Sequence, residues 1–497
     1  MATLAGKLIK GSFLRVLNLL VTITVSFFMM PFVIRSIGDR WYGLWILVGT
    51  LVGYYGFFDF GLSTALQRFI SRALADEDRQ EINTIFNTCF SFFAGGAVLS
   101  ILASVSVAIW GSRFIENPAD IHAFRIVILL VGLSISISFP IRALIGFLYA
   151  NVRHDVTMII EIGKIILRTA LIIYFLLRGH GIIALAAITL FADSISYLAI
   201  LTFTRKRYAY LTFDLRLFSR NTFKGLINYS VFSFISNIAN QLRFHIDAFV
   251  ITAYLGLSMV THYNVGGRIA RYYIMAIISA VALIMPVFSK FEGERDFDKL
   301  REKFLFVSKL NVILSIFLGG ALLVYGKAFI TRWMGSDYTD SYYVLVILMA
   351  GLIFGTTQTT SASLIFSLSK HKPYSIMHLC EGLANLTLSL ILVKRYGIYG
   401  VALGTTIPVI VFYIFVVPVY ATRVIDLPFT RYAAYIVPPL LIGGATHLAC
   451  WLFLRNYILA SYSRLFILGS ITFAVYALVS VFVVLTKEER RYFGIHV

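Results

Sequence analysis

The chain has 497 residues, of which 59% are hydrophobic, and its mean hydropathy is +0.84. A soluble core of this size would come with far more polar surface residues, so the composition excludes a soluble globular protein. Its three cysteines lie in apolar segments at spacings that suit neither a disulfide framework nor a metal site. The formal net charge of +19 could suggest nucleic acid, but the positions of the charges follow membrane topology instead.

Fourteen hydrophobic segments are each long enough to cross a bilayer, because a hydrocarbon core about 30 Å thick needs roughly 20 apolar residues of helix. Backbone exposed to lipid has no water to bind, so these segments are expected to be helices. The first segment lacks a signal-peptide cleavage site and is expected to be retained. The predicted spans are 11–35, 42–68, 83–112, 123–150, 156–178, 181–204, 224–254, 257–289, 304–326, 341–368, 374–394, 398–422, 431–454 and 463–486.

Basic residues indicate the orientation of these helices. With a cytoplasmic N-terminus, 24 of the 43 Lys and Arg residues fall in cytoplasmic connections and 11 in external ones. This bias follows the positive-inside rule and places both termini in the cytoplasm. The remaining eight lie inside or at the edges of helices. An ionisable group there costs several kcal/mol and is a functional candidate by default.

The chain also repeats itself at an offset of 218 residues. This shift aligns Gly38 with Gly256 and Gly179 with Gly397, and it lays the charged loop 72–81 over 290–299. The sequence therefore predicts an all-α polytopic membrane protein with two parallel six-helix bundles plus two C-terminal helices. Transporters with parallel repeats hold substrate between the halves and rock one half against the other. The predicted domains are a first bundle in 1–204, a basic cytoplasmic linker in 205–223, a second bundle in 224–422 and two extra helices with a cytoplasmic tail in 423–497.

The predicted substrate site consists of polar and basic side chains within the helices. Arg268 and Arg271 share a face of the eighth helix near mid-membrane, and no acid lies on that helix. Planar guanidinium groups bind the oxygens of a diphosphate bidentately, so these cations predict an anionic cargo. The residues predicted to bind substrate are Asn264, Arg268, Arg271, Arg168, Lys164, Arg243 and Arg142.

Pairing within a helix is the alternative for two of these cations. Arg243 lies four residues before Asp247, and Lys164 lies three residues after Glu161, spacings at which side chains meet on a helix. Arg142 is equally compatible with snorkelling to the cytoplasmic headgroups.

Three acids within the helices are candidates for coupling transport to an ion. They are Asp247, Glu381 and Asp59, each of which could instead be a satisfied interior polar group. For Asp59 the structural alternative is to cap a helix or to pair locally with Arg68 or Arg15. The coupling ion, whether proton, sodium or none, stays open.

Two segments near the N-terminus carry a family resemblance. Ser36-Ile-Gly-Asp-Arg-Trp-Tyr-Gly-Leu-Trp45 and Phe58-Asp-Phe-Gly-Leu-Ser63 resemble the signature of bacterial polysaccharide-transport proteins, the Wzx-type lipid-linked oligosaccharide flippases. These belong to the multidrug/oligosaccharidyl-lipid/polysaccharide exporter superfamily. The resemblance implies a multi-pass protein of the bacterial inner membrane that moves an undecaprenyl-diphosphate-linked glycan to the periplasmic leaflet through a cationic central cavity. It also implies a polysaccharide polymerase or ligase as a partner.

Two other classes of function remain for comparison. A multidrug cation antiporter of the same superfamily should present acids to its cargo, yet no carboxylate lies between Met1 and Asp39. A membrane enzyme should carry its catalytic groups on a substantial external loop, whereas the longest external connections here are about a dozen residues. The sequence contains no nucleotide-binding loop, metal-ligand spacing or nucleophile triad, so we expect no enzyme activity, no cofactor, no nucleic-acid partner and a monomeric protein. The sugars of the glycan cannot be read from the sequence.

Overall fold

The computed structural model describes residues 4–111, 118–281, 284–454 and 461–492, without the side chains of residues 4–12, 118–119, 232–233, 235–245 and 371. Every regular element in these ranges is helical, which confirms the all-α prediction. The helices are α1 (Leu4–Ile37), α2 (Asp39–Gly53), α3 (Leu62–Ala75), α4 (Arg79–Trp110), α5 (Pro118–Ala150), α6 (His154–Leu177), α7 (Ile182–Arg207), α8 (Arg220–Leu255), α9 (Leu257–Val281), α10 (Met285–Gly293), α11 (Phe297–Trp333), α12 (Thr339–Thr357), α13 (Thr359–Ser367), α14 (His371–Val411), α15 (Val417–Val424), α16 (Phe429–Leu454), α17 (Tyr462–Val479) and α18 (Lys487–Arg491).

Eleven helical stretches of the described chain are long and apolar enough to cross a membrane, so the protein is a multi-pass membrane protein. Helices α6 and α8 match two more predicted spans but are not among the eleven. In α6 the reason is visible, since Glu161, Lys164 and Arg168 lie within it. The apolar stretch Lys372–Val424 has 53 residues and is broken at Gly397, where φ is +57°. The count of fourteen spans therefore stays a prediction.

The predicted span 42–68 is wrong as a single helix. Helix α2 ends at Gly53, a 3-10 turn covers Tyr54–Asp59, and α3 begins at Leu62. Phe60 and Gly61 between them both have left-handed backbones, with φ of +50° and +73°. Glycine adopts this conformation without steric cost, which allows the chain to break inside an apolar segment.

Local backbone geometry repeats at the predicted offset of 218 residues. Positive φ occurs at both members of three aligned pairs, which are Gly38 with Gly256, Glu77 with Arg295, and Gly179 with Gly397. The helix caps repeat as well. Asp78 accepts the backbone N–H of Glu81 at the start of α4, and Asp296 accepts that of Lys299 at the start of α11. The two copies thus share their turns and caps, while the two-bundle arrangement stays a prediction.

The chain divides into two compact units. Unit 1 contains Met1–Gln241 and Gly256–Thr261, and unit 2 contains Leu242–Leu255 and His262–Val497. In unit 1, α4 and α5 pack together most extensively, and Phe86, Phe93 and Phe139 are fully buried among its helices. In unit 2, α11 is central and packs against α12, α16 and α17. The two C-terminal helices outside the repeat therefore rest on a helix of the second copy.

Candidate functional site

Asp59 and Arg142 form an ion pair in unit 1. Arg142 on α5 places Nη1 2.9 Å from Oδ2 of Asp59, and its guanidinium lies 4.2 Å from the ring centre of Phe139. The same carboxylate accepts hydrogen bonds from the N–H and the hydroxyl of Ser63, at 3.1 and 2.5 Å. Asp59 therefore caps the start of α3 and fixes Arg142 against the break in the second span.

This pairing corrects one expectation. The expected partners of Asp59, Arg68 and Arg15, are wrong, because Arg142 from α5 takes that place. Arg68 instead lies over the ring of Tyr229, at 4.4 Å from its centre. Sequence spacing could not find Arg142, since 83 residues separate it from Asp59.

Lys164 belongs to a second ionic cluster of unit 1. Its Nζ lies 2.8 Å from Oε2 of Glu161 on the same helix and 3.3 Å from Oδ1 of Asp193 on α7. The hydroxyl of Ser134 donates to the other oxygen of Asp193 at 2.6 Å. The structure thus contains the pairing within α6 and adds a carboxylate from a neighbouring helix. Lys164 is surrounded by acids.

Arg168 follows Lys164 by one turn of α6. Its side chain is half-buried, and it makes no ion pair with any residue that the structure describes. The interior cations of unit 1, Arg142, Lys164 and Arg168, are matched in number by the acids Asp59, Glu161 and Asp193. Their formal charges cancel.

The predicted face of α9 lies in unit 2. Asn264 is 9% exposed, and its Oδ1 accepts no hydrogen bond from the described residues. Arg268 is half-buried, and the described part of the chain offers it no ion pair. Arg271 is also half-buried and lies close enough to Asp247 for the two charges to interact. The helix therefore carries two guanidinium groups on one face, beside an amide oxygen that accepts no hydrogen bond from the described residues.

Asp247 lies in the second half of α8 and is 9% exposed. Its Oδ2 accepts hydrogen bonds from the hydroxyls of Tyr263 (2.6 Å) and Thr405 (3.3 Å). Its Oδ1 finds no hydrogen-bond donor among the described residues. Among the described residues, one oxygen of this buried carboxylate is thus held by hydroxyls and the other has no donor.

More oxygen atoms surround the same carboxylate. The hydroxyl of Thr405 lies 3.5 Å from Oδ1 of Asn385 and 3.4 Å from the carbonyl of Val401. The hydroxyl of Ser389 lies 3.0 Å from Asn385 Oδ1 and 3.4 Å from the same carbonyl. Carboxylate, amide, hydroxyl and carbonyl oxygens are the ligands that hard cations prefer.

Two further predicted residues, Glu381 and Arg243, belong to unit 2. Glu381 on α14 is 2% exposed, and its Oε2 lies 3.3 Å from Nδ1 of His378. The side chain of Arg243 lies outside the described residues, so its pairing with Asp247 stays a prediction. No group of three or more His, Cys, Asp or Glu side chains suited to a metal ion occurs in the described ranges.

Sequence reasoning missed the polar residues around Asp247. Tyr263, Asn385, Ser389 and Thr405 carry no charge. Tyr263 comes from α9, while the break at Gly397 brings Thr405 back beside Asn385 of the same helix, α14. One signal was available. Gly400 and Gly404 have the spacing that lets helices approach closely. A Cβ added at Gly404 would lie only 2.6 Å from the backbone nitrogen of Ser389.

A family comparison identifies the class of protein. Residues 40–343 match the family model described as polysaccharide biosynthesis protein, which is more than half of the chain. The chain belongs to this family. A putative O-antigen transporter of Shigella flexneri is 24% identical over 419 residues, which cover 81% of this chain and 95% of the relative. These findings confirm the resemblance to the polysaccharide-transport branch of the exporter superfamily.

Solved structures share the fold. The lipid II flippase MurJ in its inward closed conformation superposes with a TM-score of 0.72 at 15% identity, over 95% of this chain and 98% of that one. An inward-facing multidrug resistance transporter of the MATE family gives a TM-score of 0.67 at 17% identity, over 82% of this chain and 94% of that one. Because a flippase and a drug transporter both share the fold, the fold does not decide between these functions.

Proposed function

We propose that this protein is a flippase that moves an undecaprenyl-diphosphate-linked oligosaccharide from the cytoplasmic to the periplasmic leaflet by alternating access through a cationic cavity. The observation that carries the proposal is the pair of arginines on α9. Arg268 makes no ion pair within the described residues, and Arg271 shares its face. An unpaired cation in a membrane helix is costly, so its retention favours a role with an anionic ligand.

A diphosphate suits this face chemically. Guanidinium groups bind phosphate oxygens through two parallel N–H bonds, and the arginine charge is retained at every physiological pH. The sugars require hydrogen-bonding groups, of which the free oxygen of Asn264 is one. Names of similar proteins support the cargo class, since one relative is a putative O-antigen transporter and one structure is a lipid II flippase.

The alternative function is export of cationic drugs, which the MATE neighbour supports. A cationic cargo requires acids that are not already paired with protein cations. In unit 1, Asp59 faces Arg142, while Glu161 and Asp193 face Lys164. In unit 2, Asp247 lies near Arg271. This charge arrangement favours the anionic cargo.

We further propose that Asp247 holds the coupling cation or proton. Its free Oδ1 and the nearby oxygens of Thr405, Asn385 and Val401 form an oxygen-rich group in the interior of unit 2. A cation bound there would neutralise a carboxylate that lies close to Arg271. Binding would therefore change the field that the diphosphate meets on α9. Glu381 is the weaker candidate because His378 already faces it.

Loss of the protein in its native host tests the cargo. We expect a lipid-linked oligosaccharide to accumulate in the cytoplasmic leaflet, where a membrane-impermeant oxidant added to spheroplasts cannot reach its sugars. Re-expression of the protein should restore access. If glycan export continues without the protein, and overproduction instead gives resistance to ethidium-like cations, the antiporter function replaces the flippase.

Orientation in the inner membrane is part of the proposal. Both termini and the loop around residue 215 are expected in the cytoplasm, on the strength of the basic-residue bias. Reporter fusions at residues 118, 215, 296 and 335 should report outside, inside, inside and outside. A periplasmic signal at 215 and 296 would overturn both the orientation and the count of spans. We also propose that the protein acts as a monomer and that a polymerase or ligase consumes the glycan on the far side.

A further inference from the structure

The segment between α7 and α8, residues 208–219, is an ordered strap and not a loose connection. Asn83 and Asn87, one turn apart on α4, hold its backbone with their side-chain amides. Asn83 donates to the carbonyl of Tyr210 at 3.1 Å and accepts the N–H of Thr212 at 2.8 Å. Asn87 donates to the carbonyl of Thr212 at 3.0 Å and accepts the N–H of Asp214 at 2.9 Å. The two amides thus bind alternate residues of the strap, as a neighbouring β-strand would.

Apolar contacts fix the inner face of the strap. The ring of Phe213 packs edge-on against Phe86 and Phe90 of α4, with centroids 5.4 and 5.6 Å apart. Leu211 is 7% exposed. At the far end, the N–H of Ser219 donates to the hydroxyl of Thr88 at 3.1 Å. One face of the strap is therefore bound to α4 along its length.

The outer face is apolar and basic. Leu215 is 62% exposed, Leu217 36% and Phe218 44%, although none of them belongs to a candidate membrane span. The stretch 205–224 around them contains six Lys or Arg residues and one acid. That acid, Asp214, accepts the backbone N–H of Arg216, and the exposed side chain of Arg216 makes no ion pair within the described residues. With six cations against one carboxylate, the charge of this stretch is positive.

The length of the neighbouring helices leads us to expect the strap at the depth of the membrane interface. It joins the end of one candidate membrane span, α7, to the first turn of α8. Its binding residues Asn83 and Asn87 lie about 6 and 12 Å from the start of α4 at 1.5 Å per residue. Helix α4 has 32 residues, so it is longer than a hydrocarbon core of about 30 Å requires. Its first turns are therefore expected to extend into the headgroup region together with the strap that they bind.

We propose that the outer face of the strap docks on anionic lipid headgroups. Leu215, Leu217 and Phe218 insert at the acyl boundary, while Arg216 and Arg220 bind the headgroup phosphates. Apolar side chains beside clustered basic residues are typical of segments that lie in a membrane surface, and the surface charge of an anionic leaflet attracts them. The lipid is favoured over a protein partner because charge complementarity and continuity with membrane helices both point to it.

A fluorophore on the strap tests this inference in the full-length protein. Cys380 and Cys450 are replaced by Ala, and Cys89 is retained because its side chain is fully buried. A polarity-sensitive dye is then attached in L217C, and in F218C as a second site. The control is D298C, where the wild-type side chain is 96% exposed. Each protein is reconstituted in phosphatidylcholine with or without phosphatidylglycerol.

Two quenchers distinguish lipid from water. With phosphatidylglycerol present, nitroxide lipids should quench the dye at 217, and the neutral aqueous quencher acrylamide should lose access to it. At 298 acrylamide should quench freely. Removing two charges in R216Q/R220Q, or raising the salt, should reverse the protection at 217, because surface electrostatics are screened by salt. Removing two charges in K290Q/R295Q, in the charged loop 290–299 of unit 2, should leave the protection at 217 unchanged.

Three results would overturn the proposal. Acrylamide could quench positions 217 and 218 as strongly as position 298 in anionic vesicles. Protection from acrylamide could be as strong in phosphatidylcholine alone, or in R216Q/R220Q, as in the wild type with phosphatidylglycerol. Anionic headgroups would then have no part in binding the strap. Protection could also occur in native membranes and be absent from pure lipid, in which case a protein covers the strap.

Discussion

Units 1 and 2 repeat the same turns but differ in their interior chemistry. Both copies begin a long helix with an aspartate cap, and both have left-handed residues at aligned positions. The interior acids Asp59, Glu161 and Asp193 of unit 1 each face a basic side chain, as Asp59 faces Arg142. Asp247 of unit 2 accepts hydrogen bonds from two hydroxyls and lies near Arg271, while Arg268 has no ion pair among the described residues.

The difference reflects what each feature requires. A turn with positive φ or a capped helix start depends on local backbone sterics, so both copies of a duplicated chain retain it. An interior polar group needs a hydrogen-bond or charge partner, and many different side chains can provide one. After duplication the interiors were free to diverge. In unit 1 the formal charges cancel, whereas in unit 2 the arginines on α9 leave a positive face that we assign to the cargo.

The largest expected effect is loss of transport when Arg268 is replaced by Ala. Removing a charged hydrogen-bond donor costs about 1.5–3 kcal/mol, so glycan export should fall on the order of tenfold or more. Arg268→Lys should restore part of it, because lysine keeps the charge but not the planar fork. Arg168→Ala in unit 1 should have a smaller effect, since the formal charges of the interior cations and acids of that unit cancel. Export by the cells, normalised to protein in the membrane, is the readout.

A matched control distinguishes loss of the proposed binding site from loss of positive charge at the protein surface. Lys394→Ala/Arg395→Ala removes two exposed cations from unit 2, and its export should equal that of the wild type. Equal losses of export in R168A and R268A would contradict the proposal that the cargo binds mainly to the arginines of unit 2. Full activity of the double variant R268A/R271A would remove α9 from the site.

The next effect concerns coupling. Asp247→Asn keeps the size of the side chain but removes its charge, so transport should lose its dependence on an imposed ion gradient. Gradient-driven transport should fall on the order of tenfold. Glu381→Gln in the same unit should retain the gradient dependence, because His378 already faces that carboxylate. The opposite ranking, with E381Q uncoupled and D247N coupled, would assign the ion to Glu381.

A stability effect is expected in unit 1. Asp59→Asn leaves Arg142 without its acid and weakens the cap of α3, and we expect a loss of about 2 kcal/mol. The double variant D59N/R142Q should recover part of this loss because no uncompensated charge remains. Thermal unfolding in detergent, followed by gel filtration, measures the difference. If D59N is as stable as wild type and transport is lost, Asp59 is a functional acid and not a structural one.

The smallest effects should be the same in both units. Asp78→Ala and Asp296→Ala each remove a helix cap, so the amides of Glu81 and Lys299 should exchange hydrogen faster, while global stability changes little. The hydrogen bond from Lys299 lowers the pKa of Asp296 below its ordinary 3.8. This second cap is therefore present at neutral pH and is lost only as the pH falls through that lowered value. Faster exchange in one variant alone would show that the repeat does not extend to the caps.

Much of the fold was predictable because its signals are local. Apolar length predicted the membrane helices, and glycine spacing predicted the repeat that Gly38 and Gly256 now show in their backbones. The break at Phe60 was missed because apolar residues continue through it. Its causes are the left-handed pair at 60 and 61 and the cap from Asp59, neither of which changes the hydropathy.

The candidate site was predictable only in part. Charged residues inside apolar helices are visible in any sequence, which is how Arg268, Asp247 and Lys164 were found. The pairings between helices could not be read from spacing, because Arg142 meets Asp59 and Asp193 meets Lys164 from a different helix. The buried pair of Lys309 and Glu489, 2.7 Å apart, joins α11 to α18 across 180 residues and was missed for the same reason.

Translocation by purified protein in liposomes tests the central claim most directly. A fluorescent polyprenyl-diphosphate oligosaccharide is placed in both leaflets, and a membrane-impermeant reductant added outside reports the fraction that crosses from the inner leaflet. We expect translocation by the wild type, little by R268A, and no competition from lipophilic cations. If lipophilic cations compete, or if R268A moves the glycan as fast as the wild type, an anionic cargo held by the arginines of α9 is contradicted.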